Sequence, residues 1–368
     1  MKILQIHHSL NIGGVESMVC ALSNELVKQN DVTICTYYDL LPGEGLEPVL
    51  SKDVKRISLH NKALTPLTKI IDMFRLVHVI LSGNYDVVHV HGAFNFYILA
   101  ILFKRKSTSF FYTVHSDAKK ENGPMSNFMF PIKKYFFSRK NIVPITISPE
   151  SQRSFAELYH CESELVLNGV VAPVVSNNPN IIDEYAQKEN CRPFIHVGRI
   201  CEAKNQLVLC RVFDRLIKEG YNVMLVIVGP NADDNIFAQL KPFFCNRIVF
   251  LDARNDVAEL MSHSEALCLP SIYEGLPVTL LEALSVGCVP ICSPIGGMKN
   301  VVRDGVNGLL SASPDEDDYY HAMRRYLELS DDDINRIRNN VKNSFNDYCI
   351  VKTAQQYYSV YQKYNIKK

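Results

Sequence analysis

The sequence has no net charge, because 39 Lys and Arg balance 39 Asp and Glu. That balance excludes a global polyelectrolyte partner, and no nucleic-acid motif accompanies it. The 11 cysteines include no C-x-x-C pair and sit mainly in apolar runs such as Ile34-Cys35-Thr36 and Ile291-Cys292-Ser293. Such spacing offers no zinc site and reads as buried, reduced thiol in a cytoplasmic protein. The longest apolar run, near Phe96–Phe103, falls well short of the roughly 20 residues of a membrane-crossing helix. Met1–Ile6 gives way to His7-His8 with no signal-peptide pattern. There is no G-x-G-x-x-G, so the dinucleotide fingerprint is missing. No acidic pair of the D-x-D kind sits at a strand end to hold a metal, and no short-period repeat is present.

What is there is globular material for about two domains, 47% hydrophobic and 21% charged. Apolar runs at Lys2–His7, Val32–Tyr37, Tyr85–His91, Phe110–Val114 and Ile142–Ile147 read as buried strands. Residues 173–193, rich in Pro, Asn and polar groups, read as a linker. A second set follows at Phe194–Val197, Val223–Gly229, Ile248–Leu251, Ala266–Leu269 and Val289–Cys292. Strands alternating with helices argue for an α/β fold, with a doubly wound parallel sheet in each half. Leu64–Leu81 reads as a helix with Ile70, Phe74, Val77 and Leu81 on one face, and Asn95–Phe103 as another.

Ligands of such sheets collect beyond the carboxyl ends of the strands. His91, His115 and Ser148 stand at those ends. A lone histidine there is more often structural than catalytic, and His89 is expected to face away from His91. Gly13-Gly14 lies between a strand and a helix, where backbone N–H groups can approach an anion. Arg199 directly follows a buried strand and Lys204 comes five residues later, so two cations stand near one helix start.

The densest chemistry lies in Leu269–Gly287. It reads as a strand end, a tight loop punctuated by Pro270 and Gly275, then a helix with Leu280, Leu281 and Leu284 at helical spacing. Pro277 suits the first helical position, where its missing N–H costs nothing. Glu274 precedes the helix and Glu282 lies in its opening turns, eight positions on. A helix N-terminus suits a phosphate, and a carboxylate beside it can accept from sugar hydroxyls.

The ordered set of motifs resembles the retaining glycosyltransferases of family 4 (glycosyltransferase group 1). It comprises Gly13-Gly14, Gly198-Arg199 with Lys204, Glu274-Gly275-Leu276-Pro277 with Glu282, and Asp304-Gly305 through Gly308. The resemblance implies the GT-B fold: two facing Rossmann-like domains, residues 1–172 and 194–349, with the active site in the cleft. The last helix, about 350–368, would cross back onto the first domain. The implied reaction moves a sugar from a nucleotide diphosphate sugar, a UDP-sugar foremost, to a hydroxyl of a glycan or lipid-linked acceptor. Surface polysaccharide assembly is the implied setting.

By the same resemblance His115 reaches the transferred sugar, while His91 and Ser148 lie on the acceptor side. Gly13 and Gly14 cover the donor diphosphate. Arg199 and Lys204 neutralise it as it leaves, with the helix starts at Gly14 and Pro277. Glu274, Gly275, Leu276 and Pro277 hold the sugar, Glu282 the ribose, and Arg254 and Val257 neighbour the base. No cofactor and no metal are implied. Asn205 and Asp252 stand where relatives often have Gly, and Asn300 where they usually have Glu. A nucleotide-sugar epimerase or a pyridoxal-dependent phosphorylase of the same fold, or a non-catalytic sugar-nucleotide-binding subunit, are the alternatives.

One stretch breaks the charge balance. From Lys52 to Lys140 there are 15 Lys and Arg against 5 Asp and Glu, with Phe103, Phe128, Phe130 and Tyr135–Phe137 interleaved. An anionic membrane is the expected taker of this charge, since each basic residue near such a surface contributes about 1 kcal/mol. A peripheral place on the inner face of the membrane is expected, with residues 121–140 as an acceptor loop.

Overall fold

The structure, a computed structural model, describes the chain except residues 12, 39–44, 62–65, 93–96, 104–106, 116–117, 120–125, 177 and 366–368. It divides into two compact units. One is Met1–Val171 with Tyr348–Lys368, and the other is Ala172–Asp347.

The first unit runs β1 (Lys2–His7), α1 (Gly14–Leu26), β2 (Asp31–Tyr38), β3 (Lys55–Asn61), α2 (Pro66–Gly83), β4 (Val87–His91), β5 (Ser109–Val114), α3 (Ser126–Ser138), β6 (Val143–Thr146), α4 (Pro149–Tyr159) and β7 (Glu164–Leu165). The second runs α5 (Ile181–Glu189), β8 (Arg192–Val197), α6 (Gln206–Lys218), β9 (Val223–Val228), α7 (Asp234–Leu240), β10 (Ile248–Phe250), α8 (Val257–Ser262), β11 (Ala266–Leu269), α9 (Val278–Val286), β12 (Val289–Cys292), α10 (Met298–Val301), β13 (Leu309–Leu310), α11 (Glu316–Leu327) and α12 (Asp331–Ser344). The chain then returns to the first unit as α13 (Ile350–Tyr364). Both sheets are parallel, in the orders β3-β2-β1-β4-β5-β6-β7 and β10-β9-β8-β11-β12-β13. This is the doubly wound topology expected of alternating strands and helices.

Strand alternation sorts the first core into two layers. Leu4, Ile6, Val88, Val90, Phe110 and Tyr112 pack with Leu76 and Ile80 of α2 and Phe137 of α3. Ile3, Val87 and Phe111 face the other way, onto Met18 and Leu22 of α1 and Tyr357 and Tyr361 of α13. Fully burying one such aliphatic or aromatic side chain contributes about 1.5–3 kcal/mol.

Four expectations are corrected. Residues 181–189 are helix α5 rather than linker, and β8 begins at Arg192. That helix buries only Ile182, so it shows no apolar period. Asn180 caps it, accepting from Ile182 N–H at 2.8 Å. On α2 the covered stripe is Leu76, Val77 and Ile80, whereas Ile70 and Phe74 are 44% and 59% exposed. The helix is apolar on two stripes, and only the one over the sheet is covered. Residues 126–138, expected as part of an acceptor loop, are helix α3. Residues 121–125 of that expected loop, and 95–96 of the expected Asn95–Phe103 helix, lie outside the described residues. His89 does not face away from His91. Residues two apart share a face of a strand, and the two rings sit side by side with centroids 4.0 Å apart. Six of the eleven cysteines are buried, and Cys245 is exposed.

Candidate active site

In the second sheet the strand order reverses at the β8/β11 pair. Ligands of open α/β sheets bind at such a switch point. β8 ends there in Gly198-Arg199, and β11 in Pro270-Ser271. Lys204 closes a short 3-10 turn, Glu202–Lys204, and its stem lies across Gly198, where a Cβ would meet Lys204 Cε at 3.3 Å. Lys204 Nζ donates to Glu274 Oε1. The Ser271 hydroxyl donates to the same oxygen at 3.0 Å. Ser271 is in turn held by the Ser293 hydroxyl, which donates to its carbonyl oxygen at 2.5 Å. The lysine and glutamate are only 19% and 11% exposed, so their attraction is less screened than that of a surface pair. Arg199 is exposed and carries no ion pair among the described residues.

Behind Arg199, Gln206 Nε2 donates to the Arg199 carbonyl oxygen at 2.9 Å and faces His196 Nε2 at 3.2 Å. His196 Nδ1–H donates to the Cys268 carbonyl oxygen at 2.8 Å. Burial pushes His196 down to about 4, so it serves as a neutral strut. Asn205 and Asp252 have φ of +56° and +40°. Those left-handed conformations explain why glycine suits both positions, and Asn and Asp tolerate them better than most residues.

The Glu274–Pro277 loop is buttressed by Gly296-Gly297. Gly297 N–H donates to the Gly275 carbonyl oxygen at 2.5 Å. At Gly296, with φ of +55°, a Cβ would collide with the Glu274 carbonyl oxygen. Pro277 caps α9 from outside, in an extended conformation, instead of occupying its first turn. Its φ of −68° suits either place, and its ψ of 124° decides for the cap. Glu282 lies one turn into α9, and its carboxylate has no partner among the described residues. Burial alone raises its pKa. Arg254 forms a bidentate pair with Asp256, at 2.7 and 2.6 Å, so its charge is already engaged. Val257 opens α8. Asn300 is exposed on α10.

That burial gives a stability prediction. Folding lifts the Glu282 pKa above its unfolded value, so at neutral pH the folded state holds a desolvated carboxylate. The cost is present above the raised pKa and vanishes as pH falls through it. Glu282→Gln is therefore expected to raise the melting temperature at pH 7, with the gap closing toward pH 4, while nucleotide binding weakens. Thermal melts with and without nucleotide check both parts. A variant less stable than the wild type at pH 7 would sink the burial argument.

In the first unit the switch point is the β1/β4 pair. His7 ends β1, His91 ends β4, and His115 follows β5. Gly13 caps α1 with no side-chain hydrogen bond at the helix start. Its lack of a Cβ leaves room for the Glu16 carboxylate, which folds back over it and faces His7 Nε2 at 3.4 Å. Gly14 is the first helical residue. His91 is fully buried with both ring nitrogens engaged, by Gln5 at 2.7 Å and His115 at 3.1 Å. It therefore stands behind His115 and cannot itself meet an acceptor. Ser148 is buried, and its hydroxyl accepts from Ser151 N–H at 3.1 Å as the cap of α4. Its place is structural.

Sequence reading missed Ser271, Gln206, Gly296 and Gln5. The signal for Gln5 was available: Gln5/His7, His89/His91 and Thr113/His115 are polar residues at period two at the ends of three strands whose middles are apolar.

Two Rossmann-like units, each a parallel sheet with polar residues at its switch point, are the architecture of the GT-B fold. The Glycosyltransferase Family 4 model matches residues 12–172 and the Glycosyl transferases group 1 model matches residues 177–344. The chain belongs to the family 4, group 1 glycosyltransferases, enzymes acting on nucleotide sugars. It is 24% identical over 367 residues to the Escherichia coli UDP-Gal:alpha-D-GlcNAc-diphosphoundecaprenol alpha-1,3-galactosyltransferase, covering 94% of this chain and 88% of that protein. It is 25% identical over 370 residues, with 97% of each chain covered, to a Campylobacter jejuni protein. That relative is a GalNAc-alpha-(1->4)-GalNAc-alpha-(1->3)-diNAcBac-PP-undecaprenol alpha-1,4-N-acetyl-D-galactosaminyltransferase. Among solved structures, Anabaena HepE in complex with UDP and glucose superposes with a TM-score of 0.81 at 18% identity, covering 99% of this chain and 100% of that one.

Proposed function

We propose that the protein transfers a sugar from a UDP-sugar to a hydroxyl of a lipid-linked or glycan acceptor, retaining the anomeric configuration and using no metal ion. The observation that carries this is the Lys204–Glu274 pair at the β8/β11 switch point, with exposed Arg199 beside it and Glu282 on α9 without a partner among the described residues. Two cations and a helix start supply the charge that a departing diphosphate needs. Glu282 is suited to accept from ribose hydroxyls and Glu274 from sugar hydroxyls. Glu274 is tied by Lys204 and Ser271, which orients it for holding and not for attack. The oxocarbenium-like sugar is then open to front-face attack by the acceptor hydroxyl. The UDP named for HepE and the diphosphoundecaprenol acceptors named for two relatives support the choice of donor and acceptor class.

A thermal-shift series over nucleotide sugars, followed by NMR of the anomeric proton in the product, tests this. UDP-sugars should raise the melting temperature most, the product should keep the donor's anomeric configuration, and EDTA should leave the rate unchanged. Metal-restored activity after EDTA, or an inverted product, would refute those parts.

Docking on the inner face of an anionic membrane belongs to the same proposal, with its surface revised. Lys133 is 1% exposed and lies over the Tyr112 ring, so it cannot meet lipid. Lys104–Lys106 lie outside the described residues. Arg139 and Lys140 are exposed near the end of α3, beside Tyr135 at 49% exposure. Phe74 and Leu102 of the same unit are 59% and 67% exposed. No described helix is long and apolar enough to cross a membrane. Flotation with anionic vesicles should succeed at low salt and fade as salt rises. Reversing Lys134, Arg139 and Lys140 to Glu should weaken flotation without changing UDP affinity. A wild-type protein that never floats at low salt would favour an acceptor free of membrane.

A further inference from the structure

On the α13 side of the first sheet, a row of polar side chains serves no role in the reaction as outlined. Gln5, His89, His91 and Thr113 are all 0% exposed. Gln5 lies beside His89, and His91 beside Thr113, on neighbouring strands. Each hydrogen bond dictates the next. Gln5 Nε2 donates to the Tyr361 hydroxyl at 3.2 Å, which turns Gln5 Oε1 toward His91 Nε2 at 2.7 Å. An amide oxygen only accepts, so His91 carries its proton on Nε2. His91 Nδ1 is then a lone pair 3.1 Å from His115 Nε2, and His115 donates to it. Burial keeps both rings neutral, with His91 well below the ordinary histidine range and His115 down to about 3. A neutral ring has one proton, so His115 Nδ1 is an acceptor. That atom is buried and has no partner among the described residues. The other branch closes consistently. The Tyr361 hydroxyl donates to His89 Nδ1 at 2.6 Å, and His89 Nε2–H donates to Thr113 Oγ1 at 2.7 Å.

Turning the Gln5 amide over would reverse this chain. It would end in His115 Nδ1–H, a buried donor with nothing among the described residues to receive it. Orphaned buried N–H groups are rarer than orphaned acceptors and costly to leave unmet. We infer that Gln5, oriented by Tyr361, is a positioning residue. Through His91 it holds His115 in the Nε2–H form, so that His115 Nδ1 accepts a hydrogen bond from a hydroxyl of the transferred sugar. The inference rests on the reading of His115 as the residue that meets that sugar.

Long-range proton–nitrogen NMR of the 15N-labelled full chain at pH 7 reads the tautomer directly, with His115→Gln assigning the signals. His115 should show an unprotonated Nδ1 and a protonated Nε2. Gln5→Met keeps the length and removes the acceptor. It should mix the tautomers of His91 and His115 and lower kcat about five- to tenfold, the worth of one hydrogen bond. If Gln5→Met does not fold, Tyr361→Phe frees the amide to turn and should give the same mixture. A protonated Nδ1 on wild-type His115, or a Gln5→Met protein with wild-type spectrum and rate, overturns the inference. A spectrum that responds while the rate does not overturns the sugar contact, and locates the failure in the role given to His115.

Discussion

Lys204→Ala is expected to lower turnover by on the order of 10²–10³-fold, the usual cost of removing one preorganised charge-stabilising donor. Lys204 sits at the switch point, is mostly shielded from water, and holds Glu274. Its loss acts twice, removing a cation from the diphosphate and freeing the carboxylate that orients the sugar. Binding of UDP itself should weaken as well, because the ground state already carries the phosphate charge. Lys204→Arg should recover little. The lysine stem lies across Gly198, where even an added Cβ would come within 3.3 Å of its Cε, and a planar guanidinium does not replace a compact ammonium at one carboxylate oxygen. Steady-state kinetics with calorimetry for UDP checks this, and a wild-type kcat in Lys204→Ala would remove the residue from the site.

A comparable loss is expected from a single methyl group placed elsewhere. Gly296→Ala puts a Cβ into the Glu274 carbonyl oxygen and within 2.9 Å of that of Gly275. The loop carrying Glu274 must move, and a displacement of about 1 Å in a positioning element can cost about 10²-fold in rate. The stability loss should be modest, about 1–2 kcal/mol for a non-glycine residue in the left-handed region plus whatever the collision adds. Gly305→Ala is the control. Its φ is +70° and nothing lies within 4 Å of the added atom, so it should lose stability and keep activity. Melting curves paired with kcat separate the two variants. Full activity in Gly296→Ala would mean that the Gly296-Gly297 buttress does not set the loop.

The residues that announce themselves in the chain are those whose chemistry is local. Arg199 after an apolar run, and Glu274 and Glu282 around a tight turn, can be picked out because strand, loop and helix are consecutive there. Asn205 and Asp252 stood out as side chains where relatives often have glycine, but their left-handed backbone appeared only in the fold. What stayed hidden depends on contacts across the sheet. Ser271 became meaningful only once Ser293 was placed beside it, and Gly296 only once its loop lay against Glu274. His91 looked like a ligand contact until Gln5 and His115 occupied both its nitrogens. α5 escaped notice because it buries one side chain, and a polar helix has no apolar period to find. The misplaced face of α2 has the opposite cause, since excess apolar residues gave two candidate stripes.

The return of α13 to the first unit bears on the order in which the protein is made. Tyr357 and Tyr361 fill that unit's core and complete the hydrogen bonds of Gln5, His89 and Thr113, yet more than 230 residues separate them from any of those three. A nascent chain on the ribosome can finish its second unit before its first, because Ala172–Asp347 is one continuous compact stretch. The first sheet waits through the synthesis of the whole second unit with its polar row uncovered. It emerges before the second unit and closes after it.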